Sequence, residues 1–129
     1  PSDRSIFYSN AGHNFPYIIQ NDITELNCEK SKALVMFSNK LLNANIEFKN
    51  QKKTLQQGSK LLLYTDGLTE ARPIDSDTFF GVSKINEVFF KNKNKSPDTF
   101  IKTLYKELVS YRNSDSFDYD ICMVCLDIK

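Results

Sequence analysis

The sequence predicts an α+β fold in which antiparallel β-sheets carry two flanking helices. Three observations point there: short apolar segments separated by turns from Ile6 to Tyr64, two amphipathic helical patterns after them, and one closing apolar strand. The strand segments read IFYS, PYIIQ, ALVMF, IEF and KLLLY, at positions 6–9, 16–20, 33–37, 46–48 and 60–64. They are short, rich in β-branched and aromatic residues, and set apart by turn formers. In the last of them Leu61, Leu62, Leu63 and Tyr64 are apolar at successive positions, the pattern of a strand covered on both faces.

A loop from Leu68 to Phe79 follows, marked by Pro73, Asp75, Ser76 and Asp77. The first helix spans about Val82 to Phe90, with Val82, Ile85, Val88 and Phe89 along one stripe. The second starts at Ser96 as N-cap, with Pro97 at the first helical position and Asp98 in the first turn, and buries Phe100, Ile101, Leu104, Leu108 and Tyr111. Ile121 to Ile128 reads as the final strand.

Composition bounds the function without choosing it. With 129 residues, 40% hydrophobic and 26% charged, the chain is one domain or part of one. Seventeen basic and 16 acidic residues give a net charge of +1, which argues against a nucleic-acid partner held by bulk electrostatics. Apolar runs fall far short of the ~20 residues a membrane helix needs. Lys91, Lys93 and Lys95 alternate with Asn in what reads as a solvated loop. Cys122 and Cys125 are spaced like a zinc knuckle, yet residues three apart on a strand face opposite sides. All three cysteines, Cys28 included, read as reduced thiols of a cytoplasmic protein, two of them small core residues.

The segment Leu61–Glu70, LLLYTDGLTE, carries the chemistry. It places the carboxylate of Asp66 at the carboxyl end of a buried strand, with Gly67 freeing the turn. Metal-binding and phosphate-handling acids are found at such positions; so are aspartates that only cap a turn. A second candidate is the turn Asn10 to Asn14, where Gly12 suits a positive φ and His13 is the sole histidine. His13 reads either as a general acid or as a residue ordering its turn through a backbone hydrogen bond.

Four blocks, YSNAGHNFPYII (8–19), LQQGSKLLLYTDGLTEA (55–71), FFGVSKI (79–85) and DYDICMVCL (118–126), stand in the order found in the SpoIIE/RsbU-like serine phosphatases. The chain resembles the C-terminal part of that family, bacterial members of the metal-dependent 2C-type (PPM) class. The resemblance implies a partial PPM-type β-sandwich with its metal site at one edge. It also implies hydrolysis of a phosphoserine on a regulatory protein such as an anti-sigma-factor antagonist. Two Mn²⁺ or Mg²⁺ ions would supply the chemistry, a strong nucleophile from bound water and neutralisation of phosphoryl charge.

By resemblance, Asp66 matches the family's metal-binding Asp in its (S/T)DG motif. The family's Asp-Asp-Ile-Thr, whose first Asp is a ligand, aligns with Tyr119, Asp120, Ile121 and Cys122. Tyr119 therefore stands at a ligand position, Asp120 matches the second Asp, and Asp118 supplies the missing carboxylate only if the loop shifts. Otherwise that metal position is lost, and the chain is a catalytically degenerate half that binds a partner. Aspartyl-phosphate enzymes and receiver domains fit less well: position 68 is Leu68 where a second Asp is needed, and the first 64 residues read as all-β.

The family's Gly-Gly-Asp strand and its Gly-Asp-Val-Ser-Gly-like loop, whose acids bridge the metals, do not occur here. Residues 1–129 are therefore expected to form a single C-terminal portion of the phosphatase domain, with the N-terminal portion missing. Such a piece would expose apolar strand faces, those of Ile6, Tyr8, Ile18 and Leu62, and self-associate, with a homodimer as one outcome.

Overall fold

The computed structural model describes residues 3–29, 33 and 48–129. The expected strand at 33–37, and all of that at 46–48 except Phe48, lie outside the described residues. Among the described residues there are six strands and three helices: β1 (Ser5–Tyr8), β2 (Tyr17–Ile19), β3 (Ile23–Glu25), β4 (Gln51–Thr54), β5 (Lys60–Tyr64), α1 (Asp66–Thr69), α2 (Gly81–Asn92), α3 (Pro97–Arg112) and β6 (Met123–Asp127). The α+β class and the antiparallel pairing are as the sequence predicts.

The strands make two sheets, a β1–β4 pair and a four-stranded sheet in the order β3-β2-β5-β6. Every pairing is antiparallel. β3 and β4 escape a sequence reading for a physical reason. The four residues of β4, Gln-Lys-Lys-Thr, pair among the described residues with β1 alone and are largely exposed, so no burial writes an apolar signature into them.

β5 is the spine. It is hydrogen-bonded on both sides, to β2 and β6. Its alternate residues feed two clusters. Leu62 and Tyr64 point to the face where Tyr17, Ile19 and the helices pack, while Leu61 joins Ile18, Leu26 and Leu55 on the other. Lys60 is buried too, and its ammonium pairs with Asp127 directly across the strand pair.

α3 covers the first face because Phe100, Leu104 and Leu108 recur at four-residue spacing, and all three are fully buried. Burial of each such side chain contributes roughly 1.5–3 kcal/mol. Its start is as expected: Ser96 Oγ accepts from the Thr99 amide, 3.3 Å, with Pro97 in the first turn. It ends at Asn113 in the left-handed region, φ 56°. In α2, Ile85, Val88 and Phe89 face the core, but Val82, one residue into the helix that starts at Gly81, is exposed.

The junction after β5 departs from a simple turn. Thr65 is the N-cap of the one-turn α1, and Asp66 is its first residue. The Thr65 hydroxyl donates to the Asp120 carbonyl at 2.8 Å and accepts from the Cys122 amide at 2.9 Å, while the Thr65 amide donates to the Cys122 carbonyl at 3.1 Å. Gly67 is required here, though not for its dihedral freedom. It is not among the positive-φ glycines. A Cβ added at Gly67 would lie 2.6 Å from the Asp120 carbonyl oxygen, inside any permitted contact.

The surfaces expected to be bare are only partly so. Ile18 and Leu62 are buried, and Ile6 and Tyr8 are half-buried against the Leu61 cluster. What the second face leaves open is Leu63, Val124 and Leu126, on facing positions of β5 and β6. Cys122 lies just before β6 and is exposed, so it is no core residue, whereas burial pushes the half-buried Cys125 thiol up to about 11.

Two outcomes are expected. Gly67→Ala should cost about 2–3 kcal/mol in urea unfolding, because backbone rather than a flexible side chain must give way; an unchanged midpoint would show that the two loops separate freely. Sedimentation velocity at micromolar concentration should show self-association that Val124→Lys with Leu126→Lys reduces, since those exposed side chains lie on β6, which pairs only with β5 among the described residues. A monomer unaffected by the substitutions would mean that this face is not the sticking surface.

Candidate functional site

The site is built where the Asp66 helical turn meets the loop before β6. β5 delivers Asp66, and β6, paired with β5 from Lys60↔Asp127 to Tyr64↔Met123, delivers the loop that holds Asp120. Thr65 joins the two by its hydroxyl and its amide. Asp66 and Asp120 are both exposed. One oxygen of Asp66, Oδ1, accepts from the Gly67 amide at 3.1 Å, and among the described residues no hydrogen bond reaches its second oxygen. This contact is local, and an aspartate that only caps a turn would make the same one; the Thr65 side chain forms no cap hydrogen bond of its own.

Below the site, Tyr64 stacks on Tyr17, with centroids 4.7 Å apart and planes 12° from parallel. Burial raises the Tyr64 phenol above its ordinary pKa, with a hydrogen bond donated to Tyr17 adding to it. The ring is thus a neutral, rigid base under the Thr65 turn.

Asp118 is placed differently from its neighbours. Arg112, the last residue of α3, binds it through both guanidinium arms, Nη1 to Oδ2 at 2.8 Å and Nη2 to Oδ1 at 3.0 Å. The Arg112 hydrogen bond holds the Asp118 carboxyl below the usual carboxylate range. Both Asp118 oxygens are therefore engaged. Tyr119, between Asp118 and Asp120, is 59% exposed.

The Asn10–Asn14 turn is a self-contained structure. The buried Asn10 side chain donates to the His13 carbonyl at 2.9 Å and accepts from the His13 amide at 2.8 Å. Gly12 takes φ +86°, as its sequence position suggests, and passes so close to Ala33 that a Cβ would meet it at 2.9 Å. His13 Nδ1 lies 3.0 Å from the Asn14 carbonyl, which agrees with its ordering the turn. The turn lines a cavity of about 330 Å³, with Ile6, Tyr8, Leu26 and Leu61 among its walls.

The arrangement suits a hard divalent cation in kind and falls short in number. Two exposed carboxylates on adjoining loops are oxygen donors of the right type, yet a six-coordinate shell needs more. Among the described residues no three His, Cys, Asp or Glu side chains gather into a metal-binding group. Further ligands would have to come from water or other parts of the protein. Two contributors were invisible to sequence reasoning. Thr65 is a small polar residue beside a conspicuous aspartate, and its role as a clasp depends on a loop 55 residues away. Arg112 meets Asp118 only because the chain reverses after Asn113.

Comparison with known proteins identifies the fold. The chain overlays the SiaA-PP2C domain of Pseudomonas aeruginosa with a TM-score of 0.74 at 15% identity, covering 98% of this chain and 47% of that one. The RsbU and RsbW domains of Rv1364c from Mycobacterium tuberculosis give 0.71 at 17% identity, over 98% and 33%. The phosphatase domain of the cell fate determinant SpoIIE from Bacillus subtilis, presoaked with Mn, gives 0.57 at 16% identity, over 98% and 51%. The chain thus spans between a third and about half of these structures and carries that portion of the PP2C-type fold. No curated protein matches it. The family model described as Stage II sporulation protein E (SpoIIE) matches residues 1–129, the whole chain, which therefore belongs to the SpoIIE family.

Proposed function

We propose that the chain is the C-terminal part of a metal-dependent protein serine/threonine phosphatase domain. Its substrate would be a phosphoserine on a regulatory protein such as an anti-sigma-factor antagonist. The observation that carries the reading is the Thr65 clasp, which sets the Asp66 turn against the Asp120 loop in a chain of this family. Mn²⁺ or Mg²⁺, when bound, supplies a water of lowered pKa and neutralises the phosphoryl oxygens.

The chain's own residues act around that group. Asp66 and Asp120 offer short, rigid carboxylates as ligands. Thr65 and Gly67 fix how closely the two loops approach, and the neutral Tyr64–Tyr17 stack keeps the strand end from shifting. Asp118 stays with Arg112, as an anchor of the loop. The Asn10–Asn14 turn serves structure, through Asn10, Gly12 and His13. Among the described residues no helix is long and apolar enough to cross a membrane.

One observation favours a second reading, a catalytically degenerate half that binds a partner. Tyr119 is exposed at the position where the family carries a ligand, and the nearby Asp118 carboxylate is taken by Arg112. A single experiment separates the two. In the full-length protein with Mn²⁺, Asp66→Asn should lower kcat on a phosphoserine substrate by about a hundredfold or more with the fold intact by circular dichroism, because a near-isosteric change removes one ligand charge. The isolated chain should not turn over p-nitrophenyl phosphate. Wild-type activity in Asp66→Asn would reduce that residue to a turn former, and an inactive full-length protein would establish the binding role.

A further inference from the structure

An ion pair stands at the end of an apolar row. On β5, Lys60 shares a face with Leu62 and Tyr64, and on β6 Asp127 shares it with Cys125 and Met123, and these four apolar neighbours all pack into the core beneath the helices. Lys60 is nonetheless only 4% exposed, and its ammonium pairs with Asp127 across the ladder. A lysine ammonium carries three donors, and among the described residues Asp127 is the sole partner of this one. Replacing a buried ion pair with apolar groups is often neutral or stabilising, so stability alone does not account for a lysine here.

Both residues line a cavity of about 380 Å³ at the start of β5, the end of the strand remote from Asp66. Lys93, Lys95 and Lys129 line it as well, so four lysines meet one aspartate there, in a chain whose net charge is +1. Its walls are held by backbone: the Gly58 amide donates to the Ile128 carbonyl at 2.8 Å, the Ile128 amide to the Ser59 carbonyl at 2.9 Å, and the Lys95 amide to the Asn92 carbonyl at 2.9 Å. Solvation explains Lys93 and Lys95 one at a time, as exposed residues after α2. It does not explain their meeting Lys129 around a buried ammonium whose other donors are unmatched. Lysine is a point charge with rotatable donors, which suits a tetrahedral dianion, and no arginine among the lining residues offers the planar fork that a carboxylate takes. We propose that the cavity is an anion site for a phosphate-type oxyanion, free phosphate or a phosphorylated side chain, with Lys60 as its buried donor and Lys93, Lys95 and Lys129 as its exposed ones. Neither Asp66 nor Asp120 takes part, so the anion site and the phosphatase reading stand or fall separately.

The test is a binding measurement by nuclear magnetic resonance on the full-length protein with isotope-labelled lysines, in EDTA so that no divalent ion mediates the contact. Sodium phosphate, phosphoserine and sodium acetate are titrated at equal ionic strength and about pH 7.5, above the second phosphate pKa of about 6. The amides of Lys93, Lys95 and Lys129 should shift along one saturating curve with phosphate and not with acetate, while that of Lys84, near the other end of α2, stays in place. Lys93→Gln with Lys95→Gln, both at exposed positions, should weaken phosphate binding about fivefold to tenfold. Lys60→Met with Asp127→Asn should weaken it further, because the buried donor is lost; if that variant fails to fold, the exposed pair still decides. Phosphoserine binding tighter than phosphate supports a phosphorylated side chain as the ligand, and equal or weaker binding supports free phosphate. Shifts that never saturate, that acetate matches, or that Lys93→Gln with Lys95→Gln leaves unchanged overturn the proposal.

Discussion

The hydroxyl of Thr65 is the interaction on which the rest of the site depends. It is satisfied in both roles, donating to Asp120 and accepting from Cys122, and so ties the end of β5 to the residues entering β6 before the ladder begins. A hydroxyl used this way ties the two loops to each other, since moving either loop breaks one of its bonds. The missing side chain of Gly67 is the matching constraint. The approach is so close that only hydrogen fits, and Asp66 and Asp120 share one edge because of it.

That edge is rigid because β5 is buried from both sides. Leu62, fully buried, and Tyr64 pack under the helices, and Leu61 packs on the β1–β4 side. The strand end therefore cannot translate without disturbing two clusters. Sheet interiors are more precise platforms than loops for charged ligands, and here the exposed carboxylates stand on the last turn outside such an interior. The second face is less complete: Leu63, Val124 and Leu126 form an exposed apolar strip on β5 and β6, the latter paired only with β5 among the described residues.

Much of this was legible in the sequence, and the failures have physical causes. Consecutive apolar residues marked β5, and Ser96-Pro97-Asp98 with Phe100, Leu104 and Leu108 marked α3, because burial and capping write directly into residue type. β4 left no such trace, being polar and exposed, and Val82 misled because a helical stripe does not say where along it burial begins. Asp66 stood out from its strand-turn context. The roles of Thr65, Gly67 and Arg112 did not, since each depends on a segment distant in the chain or on a reversal that periodicity cannot express. Gly67 was read as a source of dihedral freedom, whereas the constraint on it is space.

The central claim is that the Asp66 turn and the Asp120 loop form one cation-binding edge. The most direct measurement is paramagnetic broadening of backbone amide resonances as Mn²⁺ is titrated into the isotope-labelled chain, a readout sensitive to weak binding. The account predicts that amides of Thr65, Asp66 and Gly67 broaden together with those of Tyr119, Asp120 and Ile121, at the same Mn²⁺ concentrations. Broadening of one segment without the other, or at the remaining acidic residues in preference to both, would contradict it.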